Sequence, residues 1–416
     1  MSLKRIVYDE IISDLSRKEI SIIVGPRQVG KTTLLQKVAV YSRNRDIKCK
    51  YFNLEMPSDM HYFSGDTGET LKNISRQKGV ILIDEFHYLP NATRLFKAVY
   101  DGVKGIKVCA TGSSAIEMHK HLKESLAGRR RLYRLFPLSF SEWLPSKPKT
   151  IRLPAKLAHS VNVSVHGRIK KYLEEFIVFG GMPGLVHEKN RQAKKRLLFD
   201  LVATYIQKDI KALLREEDIL SFNRLLSLLA AQEGCLLSEN GVSNDLNYSL
   251  RQVRKDIAIL NQMFLLDVIK PFFTNRGREL KQVNKIYYFD TGIRNAVLRD
   301  FRGLGQRPDK GALLESFVFH EMQKNLKAGQ EIFYWRTREK EEVDFVLVQD
   351  RIPVAIEVKS KLLVPEIPAG IKGFMKKYPE CKKAVVLNED INKTMQYRGN
   401  AVIFAPHYYA FLIPLL

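Results

Sequence analysis

The feature that most constrains the fold is a glycine-rich segment near the N-terminus, GPRQVGKTT at residues 25–33. It follows a short apolar stretch rich in β-branched residues, 19–24, and it precedes a segment with helical spacing, 33–38. A strand, a glycine-rich loop and a helix start, in this order, are typical of a phosphate-binding loop. The glycines let backbone N–H groups face phosphate oxygens, and the helix N-terminus favours their negative charge. The sequence therefore predicts an α/β nucleotide-binding domain.

This loop predicts a site for ATP and Mg²⁺. Lys31 is expected to reach the β- and γ-phosphates, and the hydroxyl of Thr32 is expected to ligate Mg²⁺. The predicted nucleotide-binding residues are Gly25, Pro26, Arg27, Gln28, Val29, Gly30, Lys31, Thr32, Thr33 and Ser113.

A second strand of the same sheet is predicted at residues 80–85, VILIDE, where four apolar residues precede two carboxylates. A continuous apolar run is typical of a parallel strand buried on both faces. Asp84 is expected to hold the Mg²⁺ shell through water, and Glu85 to orient and deprotonate the attacking water. The pair therefore predicts ATP hydrolysis; the alternative is a strand that ends in a surface acidic pair.

A third strand, 106–111, leads into Gly112 and Ser113, so Thr111 and Ser113 are candidates for contacting the γ-phosphate or its water. The alternative is a serine-rich turn without a catalytic role. Arginines follow in LAGRRR, residues 126–131, and Arg129 is the first candidate to neutralise transition-state charge in a neighbouring subunit. The predicted catalytic set is therefore Lys31, Glu85 and Arg129, and an arginine acting in trans requires a homo-oligomer.

The charge balance indicates a polyanionic partner. The chain has 416 residues, with 68 Lys and Arg against 45 Asp and Glu, a net charge of +23. Such an excess favours contact with DNA or RNA, although a solvated basic surface is the alternative. Four cysteines without a close pair indicate a reducing compartment. With no signal-peptide core and no long apolar run, the expected location is the cytoplasm, without membrane contact.

The middle of the chain predicts a winged-helix module. Apolar residues spaced three and four apart begin at Phe222, a polar turn is expected over 238–247, and a second helix is expected over 249–260. Two strands, 264–269 and 285–289, would form the wing. The second helix carries Arg251, Arg254 and Lys255, which suits phosphate contacts. Packing against neighbouring modules, with the basic face solvated, is the alternative.

The C-terminal part carries acidic residues in a pattern that suits metal-dependent phosphodiester cleavage. A helix over 312–322 is followed by strands at 332–335, 342–348 and 354–359, the last two forming a hairpin. Glu357 and Lys359 lie two apart and so leave the same face of their strand, beside Asp344. Carboxylates with a nearby lysine can bind Mg²⁺ and an attacking water. Alternating charges on an exposed hairpin are the alternative.

This pattern resembles the restriction-endonuclease-like PD-(D/E)XK core, in which Glu315 on the preceding helix would add a carboxylate. The predicted metal-binding residues are therefore Thr32 and Asp84 in the nucleotide site, and Glu315, Asp344 and Glu357, with Lys359, in the C-terminal site.

Several blocks also resemble a family of predicted bacterial and archaeal AAA-type ATPases with a C-terminal domain of unknown function. They are GPRQVGKTTLL, ILIDEFHYLP, TGSSA, LAGR, PLSFSEW, GGMP at 180–183, YIQKDI at 205–210, YFDTG at 288–292, and the pair EVDFV and IEVKS. The resemblance spans nearly the whole chain and implies a modular ATPase, ATP hydrolysis and a nuclease-like C-terminal fold.

Together these observations predict four parts. They are a P-loop ATPase domain with a parallel sheet at 1–147, a helical connector at 148–217, a winged-helix-like domain at 218–304 and an α/β restriction-endonuclease-like domain at 305–416. The leading hypothesis is a Mg²⁺-dependent ATPase whose nucleotide state moves a nucleic-acid-facing module. One alternative is an ATP-gated regulatory or scaffold protein whose C-terminal domain binds a protein and cuts nothing; another is a defence-type nuclease licensed by ATP.

Overall fold

The computed structural model describes residues 3–89, 91–112, 126–147, 151–157, 161–205, 219–273 and 283–416. These residues divide into two compact units. The nucleotide-binding unit runs to Pro137 and includes Ala258–Leu265, and the second unit comprises Leu138–Ile257 and Leu266–Leu416. The change of unit after Pro137 comes ten residues before the expected end of the ATPase domain at 147. The boundaries proposed at 147, 217 and 304 stay predictions.

The nucleotide-binding unit is built on a five-stranded sheet in the order β2-β3-β4-β1-β5, and every pair of neighbouring strands is parallel. The strands are β1 (Ile20–Val24), β2 (Cys49–Asn53), β3 (Gly79–Asp84), β4 (Ile106–Gly112) and β5 (Arg130–Arg134). The helices are Ile6–Ser13, Lys31–Arg43, Pro57–His61, Thr67–Ser75 and Ala92–Gly102. All residues of β1 and β4 are buried, as expected for central parallel strands. The parallel sheet predicted from the P-loop is confirmed.

Two strands of this sheet are not expected from the sequence. In β2 only Phe52 is buried, and the other four residues are partly exposed. β5 contains Arg130 and Arg131 and buries only Tyr133, because it lies at the edge of the sheet, where a strand has one free side. Neither strand has the continuous apolar run that identifies β1, β3 and β4.

Helices dominate the first part of the second unit. They are Phe140–Trp143, Val163–Phe179, Arg191–Thr204, Ile219–Ala231, Glu239–Leu246, Leu250–Gln262 (whose last residues, from Ala258, belong to the nucleotide-binding unit) and Thr291–Val297. Between the last two of these helices in the chain lie two antiparallel strands, β6 (Leu266–Ile269) and β7 (Lys285–Tyr288).

The polar turn predicted over 238–247 is wrong, because Glu239–Leu246 is a helix. The hydroxyl of Ser238 accepts a hydrogen bond from the N–H of Gly241 at 3.0 Å, which caps the helix start. Val242 is buried and anchors the helix, and Asn247, with φ 55°, ends it in the left-handed region. The next helix is capped in the same way, since the Ser249 hydroxyl accepts a hydrogen bond from the N–H of Gln252 at 3.1 Å.

The GGMP and YFDTG segments pack against each other in the second unit. Asp290 accepts hydrogen bonds from the N–H groups of Gly181, at 2.7 Å, and Ile293, at 3.1 Å. A Cβ on Gly180 would lie 2.0 Å from the Asp290 carboxylate, and a Cβ on Gly292 would lie 2.1 Å from the carbonyl oxygen of Phe179. These glycines therefore permit a close approach of two backbone segments.

The C-terminal part is a mixed six-stranded sheet in the order β12-β13-β11-β10-β9-β8. Its strands are β8 (Glu331–Arg336), β9 (Glu342–Gln349), β10 (Ile352–Val358), β11 (Lys383–Asn388), β12 (Lys393–Tyr397) and β13 (Asn400–Pro406), with helices Lys310–Lys324 and Ala369–Lys377. The hairpin predicted between β9 and β10 is confirmed, and its turn residues Asp350 and Arg351 have φ of 50° and 67°. The α/β class predicted for the chain is confirmed by the two sheets and their helices.

Candidate functional site

The P-loop connects β1 to the helix Lys31–Arg43, as the sequence predicts. A Cβ on Gly25 would lie 2.2 Å from the carbonyl oxygen of Leu135, so only glycine fits this close approach. Gly30 has φ 95° and is the N-cap of the helix, a conformation that favours glycine. The loop therefore turns sharply directly before the helix, where the backbone N–H groups of the loop and of the first helical turn can face an anion.

Lys31 lies at the start of this helix and is 5% exposed. Its Nζ donates hydrogen bonds to the carbonyl oxygens of Gly25, at 3.0 Å, and Pro26, at 2.8 Å. The ammonium group is thereby held over the first turn of the loop.

The carboxyl end of β3 places Asp84 in a polar cluster that β2 and β4 complete. Asp84 is 1% exposed. Its Oδ2 accepts a hydrogen bond from the Tyr51 hydroxyl at 2.8 Å, and its Oδ1 accepts one from the Thr111 hydroxyl. The N–H of Glu85 donates to the same Thr111 Oγ1 at 3.1 Å. Thr111 therefore links the two acidic residues, as expected for a polar side chain at the end of the neighbouring parallel strand.

Glu85 has φ 54°, in the left-handed region, which is uncommon for a residue with a side chain. Its Oε2 lies 3.1 Å from Nδ1 of His87. Strained backbone of this kind costs on the order of 1–3 kcal/mol and is concentrated at functional sites.

Arg129 and Ser113 are two further residues of the predicted site. Nε of Arg129, which precedes β5, lies 2.9 Å from Oδ1 of Asp101. The role of Arg129 in a neighbouring subunit stays a prediction. Ser113 lies outside the described residues.

Two side chains that the sequence does not single out support this site. Arg5 is 7% exposed and donates to the carbonyl oxygen of Val29, inside the P-loop, at 2.7 Å. Tyr51 on β2 contacts Asp84. Both contacts join residues 24 or more positions apart, and no local pattern in the sequence signals them.

The C-terminal carboxylates lie where β9 and β10 pair. Oδ2 of Asp344 accepts a hydrogen bond from the N–H of Val358 at 2.7 Å, and Oε1 of Glu357 lies 2.7 Å from Nζ of Lys359. The predicted grouping of Asp344, Glu357 and Lys359 therefore appears at one end of the hairpin.

The third predicted carboxylate, Glu315, has other partners. Its Oε1 lies 3.1 Å from Nζ of Lys285 and accepts a hydrogen bond from the Tyr287 hydroxyl. Both partners belong to β7, and Lys285 also lies 2.7 Å from Glu342.

Among the described residues, no group of three or more His, Cys, Asp or Glu side chains is arranged to hold a metal ion. The metal-binding role of Glu315, Asp344 and Glu357 stays a prediction, and in this structure Lys285 and Tyr287 contact Glu315.

Burial and mutual repulsion act on the remaining carboxylates. Burial raises the pKa of Asp344 well above its usual range, and the charges of Glu315 and Glu357 raise it further. Burial also raises the pKa of Glu357, against the lowering effect of Lys359. Oε2 of Glu357 is buried and has no hydrogen-bond partner among the described residues. The site can therefore take up positive charge.

The predicted basic surface is present on the helix Leu250–Gln262. Arg251, Arg254 and Lys255 are exposed, and Arg254 lies 2.7 Å from Oε2 of Glu239 on the preceding helix. Among the described helices, none combines the length and the apolar character needed to cross a membrane.

Three family models match successive parts of the chain. Residues 17–144 match an AAA domain, residues 170–304 match a domain of unknown function, DUF8612, and residues 310–408 match another domain of unknown function, DUF4143.

Related sequences and structures are distant. An uncharacterised protein of Mycobacterium tuberculosis is 24% identical over 375 residues, 89% of this chain and 77% of that protein. An uncharacterised protein of Methanocaldococcus jannaschii is 24% identical over 403 residues, covering 89% and 86%. One from Haemophilus influenzae is 25% identical over 342 residues, covering 79% of each.

Among solved structures, the Orc1 protein of Aeropyrum pernix in complex with DNA aligns with a TM-score of 0.30 and 12% identity, over 72% of this chain and 93% of that chain. AMPPCP-bound DnaA from Aquifex aeolicus aligns with a TM-score of 0.28 and 17% identity, over 62% and 86%.

The matched domains, together with the P-loop and its parallel sheet, assign residues 17–144 to an AAA-type P-loop domain and residues 310–408 to a DUF4143 domain.

Proposed function

We propose that the chain hydrolyses ATP with Mg²⁺, and that its nucleotide state controls a nucleic-acid-facing module formed by the helices after Ile219 and the C-terminal sheet. The observation that carries the hydrolysis proposal is the arrangement of Asp84, Glu85 and Thr111, in which one hydroxyl contacts both acidic residues.

The residues present fit a phosphate and a magnesium ion. The left-handed Gly30 and the helix start after it suit an anion, while Thr32 and the buried Asp84 offer the oxygen ligands that Mg²⁺ prefers. When bound, Mg²⁺ would supply charge neutralisation at the β- and γ-phosphate oxygens.

The proposed roles of the protein side chains follow from their positions. Lys31 leaves its loop carbonyls and contacts the phosphates, and Glu85 accepts a proton from the attacking water. Thr111 fixes the Asp84 carboxylate and the backbone of Glu85, so it acts as a positioning residue. Arg129 is proposed to act in trans, in an oligomer.

Support for coupling comes from the path of the chain after β5. Within the nucleotide-binding unit, the N–H of Leu135 donates to the carbonyl oxygen of Val24, directly before the P-loop, at 2.7 Å. Within the second unit, the N–H of Leu138 donates to the carbonyl oxygen of Gly181 at 2.7 Å, and Lys324 donates to the Leu138 carbonyl at 2.9 Å. Leu135 is therefore hydrogen-bonded to the strand before the P-loop, and Leu138 is hydrogen-bonded within the second unit. Only two residues lie between them in the chain.

The nucleic-acid proposal rests on the net charge of +23 and on the exposed Arg251, Arg254 and Lys255. Binding of labelled DNA and RNA is expected to weaken steeply as salt rises, because each phosphate contact releases counterions. Replacing the three residues by Ala should flatten this dependence. A matched control replaces Lys72, Lys97 and Lys104, exposed on the nucleotide-binding unit. No binding, or an equal salt slope in both triple variants, would refute this role of the helix.

A second candidate function, a scaffold that cuts nothing, is favoured by the contact of Lys285 with Glu315. Incubation of labelled DNA or RNA with Mg²⁺ or Mn²⁺ separates the two. Cleavage by the wild type that is lost in Asp344→Ala supports a nuclease, and equal background-level cutting in both supports the scaffold.

A further inference from the structure

The C-terminal carboxylates have a second lysine, which comes from another part of the second unit. Lys285 on β7 has a side chain that is only 3% exposed. Its Nζ lies 2.7 Å from Oε1 of Glu342 and 3.1 Å from Oε1 of Glu315. Tyr287, two residues further along the same strand, donates to Glu315 as well. Lys285 and Tyr287 therefore lie on the same face of β7, and this face contacts the acidic residues.

The cluster holds more negative than positive groups. Four carboxylates face three cationic groups; they are Glu315, Glu342, Asp344 and Glu357, and Lys285, Arg336 and Lys359. With every carboxylate ionised, one further positive charge would be needed for neutrality.

An independent sign of a missing partner lies at Glu357. This residue is 7% exposed, and its Oε2 is buried without a hydrogen-bond partner among the described residues. Its other oxygen already contacts Lys359. A buried carboxylate oxygen left in this state is costly, and a bound cation would relieve the cost.

We propose that Lys285 is a built-in cation of this site, which competes with a divalent metal ion for the carboxylates around Glu315. The inference rests on the proposed metal site at Asp344 and Glu357, and it adds a residue that keeps that site weak for metal while β7 stays in place. Carboxylate oxygens are the ligands of Mg²⁺ and Mn²⁺, whereas a lysine supplies one charge and three donors. Removing it takes away a cation that contacts both Glu315 and Glu342, so a metal ion can take its place beside them.

The test measures Mn²⁺ binding to the full-length, nucleotide-free chain by titration calorimetry. Lys285→Met is expected to bind Mn²⁺ at least tenfold more tightly than the wild type. Lys270→Met removes the same charge from an exposed lysine shortly before β7 and should leave the affinity unchanged. Adding Asp344→Asn to Lys285→Met should abolish the gain, which shows that the ion binds at this site and not at the P-loop.

The outcomes separate the two levels of the proposal. If the wild type and Lys285→Met bind Mn²⁺ equally at a site that requires Asp344, the competition is refuted and the metal site stands. If neither binds at such a site, both are refuted.

Lys285→Met leaves two carboxylates without their partner and could fail to fold. In that event Lys285→Met with Glu342→Gln restores the charge balance, and its melting temperature is measured with and without Mn²⁺. A rise with Mn²⁺ that exceeds the rise in the wild type supports the proposal, and an equal or smaller rise overturns it.

Discussion

At the scale of single residues, one threonine links the two acidic residues of the candidate nucleotide site. Thr111 contacts both Asp84 and the backbone of Glu85, and Glu85 lies in a left-handed conformation that its neighbours must stabilise. Since β3 ends at Asp84, the orientation of the Asp84 side chain and of the Glu85 backbone depends on contacts with other strands.

We expect Thr111→Val to lower kcat for ATP hydrolysis by about 10- to 100-fold, equivalent to roughly 1.4–2.8 kcal/mol. The valine keeps the shape but removes the hydroxyl, so Asp84 and Glu85 lose a common partner. The dissociation constant for ATP, measured with a fluorescent analogue, should change less than about threefold. Thr111→Ser keeps the hydroxyl and is the matched control. A normal rate in the Val variant would exclude the positioning role.

Glu321 gives a pH-dependent prediction at the same scale. Burial raises its pKa from the ordinary 4.5 to about 7, although Lys324 and the N–H of Phe140 act in the opposite direction. The folded state thus holds a proton that the unfolded state releases near pH 4.5. The stability contributed by this proton is complete below about pH 4.5 and is lost as pH rises through about 7.

In the variant Glu321→Gln this side chain is neutral at every pH, like the protonated carboxyl of the folded wild type. Relative to the wild type, its free energy of unfolding should rise between pH 4.5 and pH 8 by on the order of 2–3 kcal/mol. Urea unfolding at several pH values measures this difference. Part of the wild-type slope should persist, because burial also raises the pKa of Glu233 to about 7. A constant difference between variant and wild type across this range would contradict the assignment.

Residues within one segment could be predicted from the sequence, and contacts between distant segments could not. Asp84 and Glu85 follow from a strand pattern, and Glu357 and Lys359 follow from a spacing of two. Lys285 belongs to the predicted wing, and only the folded chain brings it to Glu315, 30 positions away.

At the scale of secondary-structure elements, the glycines of GGMP and YFDTG determine how the helix Val163–Phe179 meets the helix Thr291–Val297. Gly180 has φ 75° and ends the first helix, and Asp290 caps the second. The close contact of their ends explains the residue types at these positions without a catalytic role.

Gly180→Ala should therefore destabilise the second unit by roughly 2–4 kcal/mol, because its Cβ would clash with Asp290 and its backbone would be strained. Gly184→Ala is the control, since nothing lies within 4 Å of the added Cβ. We expect the control to stay within about 0.5 kcal/mol of the wild type in thermal unfolding. Equal melting temperatures for the two variants would contradict the packing role.

Elements buried on both faces were the most predictable. β1, β3 and β4 have continuous apolar runs, whereas the edge strand β5 and the helix Glu239–Leu246 are polar sequences held in place by pairing and capping. A local reading assigns such segments to loops, because their stability comes from partners elsewhere in the chain.

At the scale of the whole molecule, the chain combines a nucleotide-binding unit with a second unit that carries an exposed basic helix and an acidic cluster partly neutralised by lysines. The order of these parts was predictable from the motifs. The contact of Lys285 with the acidic cluster was not predictable, because the strand β7 and the hairpin β9–β10 are separated by more than 50 residues.

The most direct test of the central claim compares ATP hydrolysis by the wild type and Glu85→Gln, with Mg²⁺ present and ATP binding measured in parallel. Because Glu85 is proposed to accept the proton of the attacking water, the variant should hydrolyse ATP at least about 100-fold more slowly. Its affinity for ATP should stay within about threefold of the wild type, while Lys31→Ala should lose binding. An unchanged hydrolysis rate in Glu85→Gln would contradict the proposed mechanism.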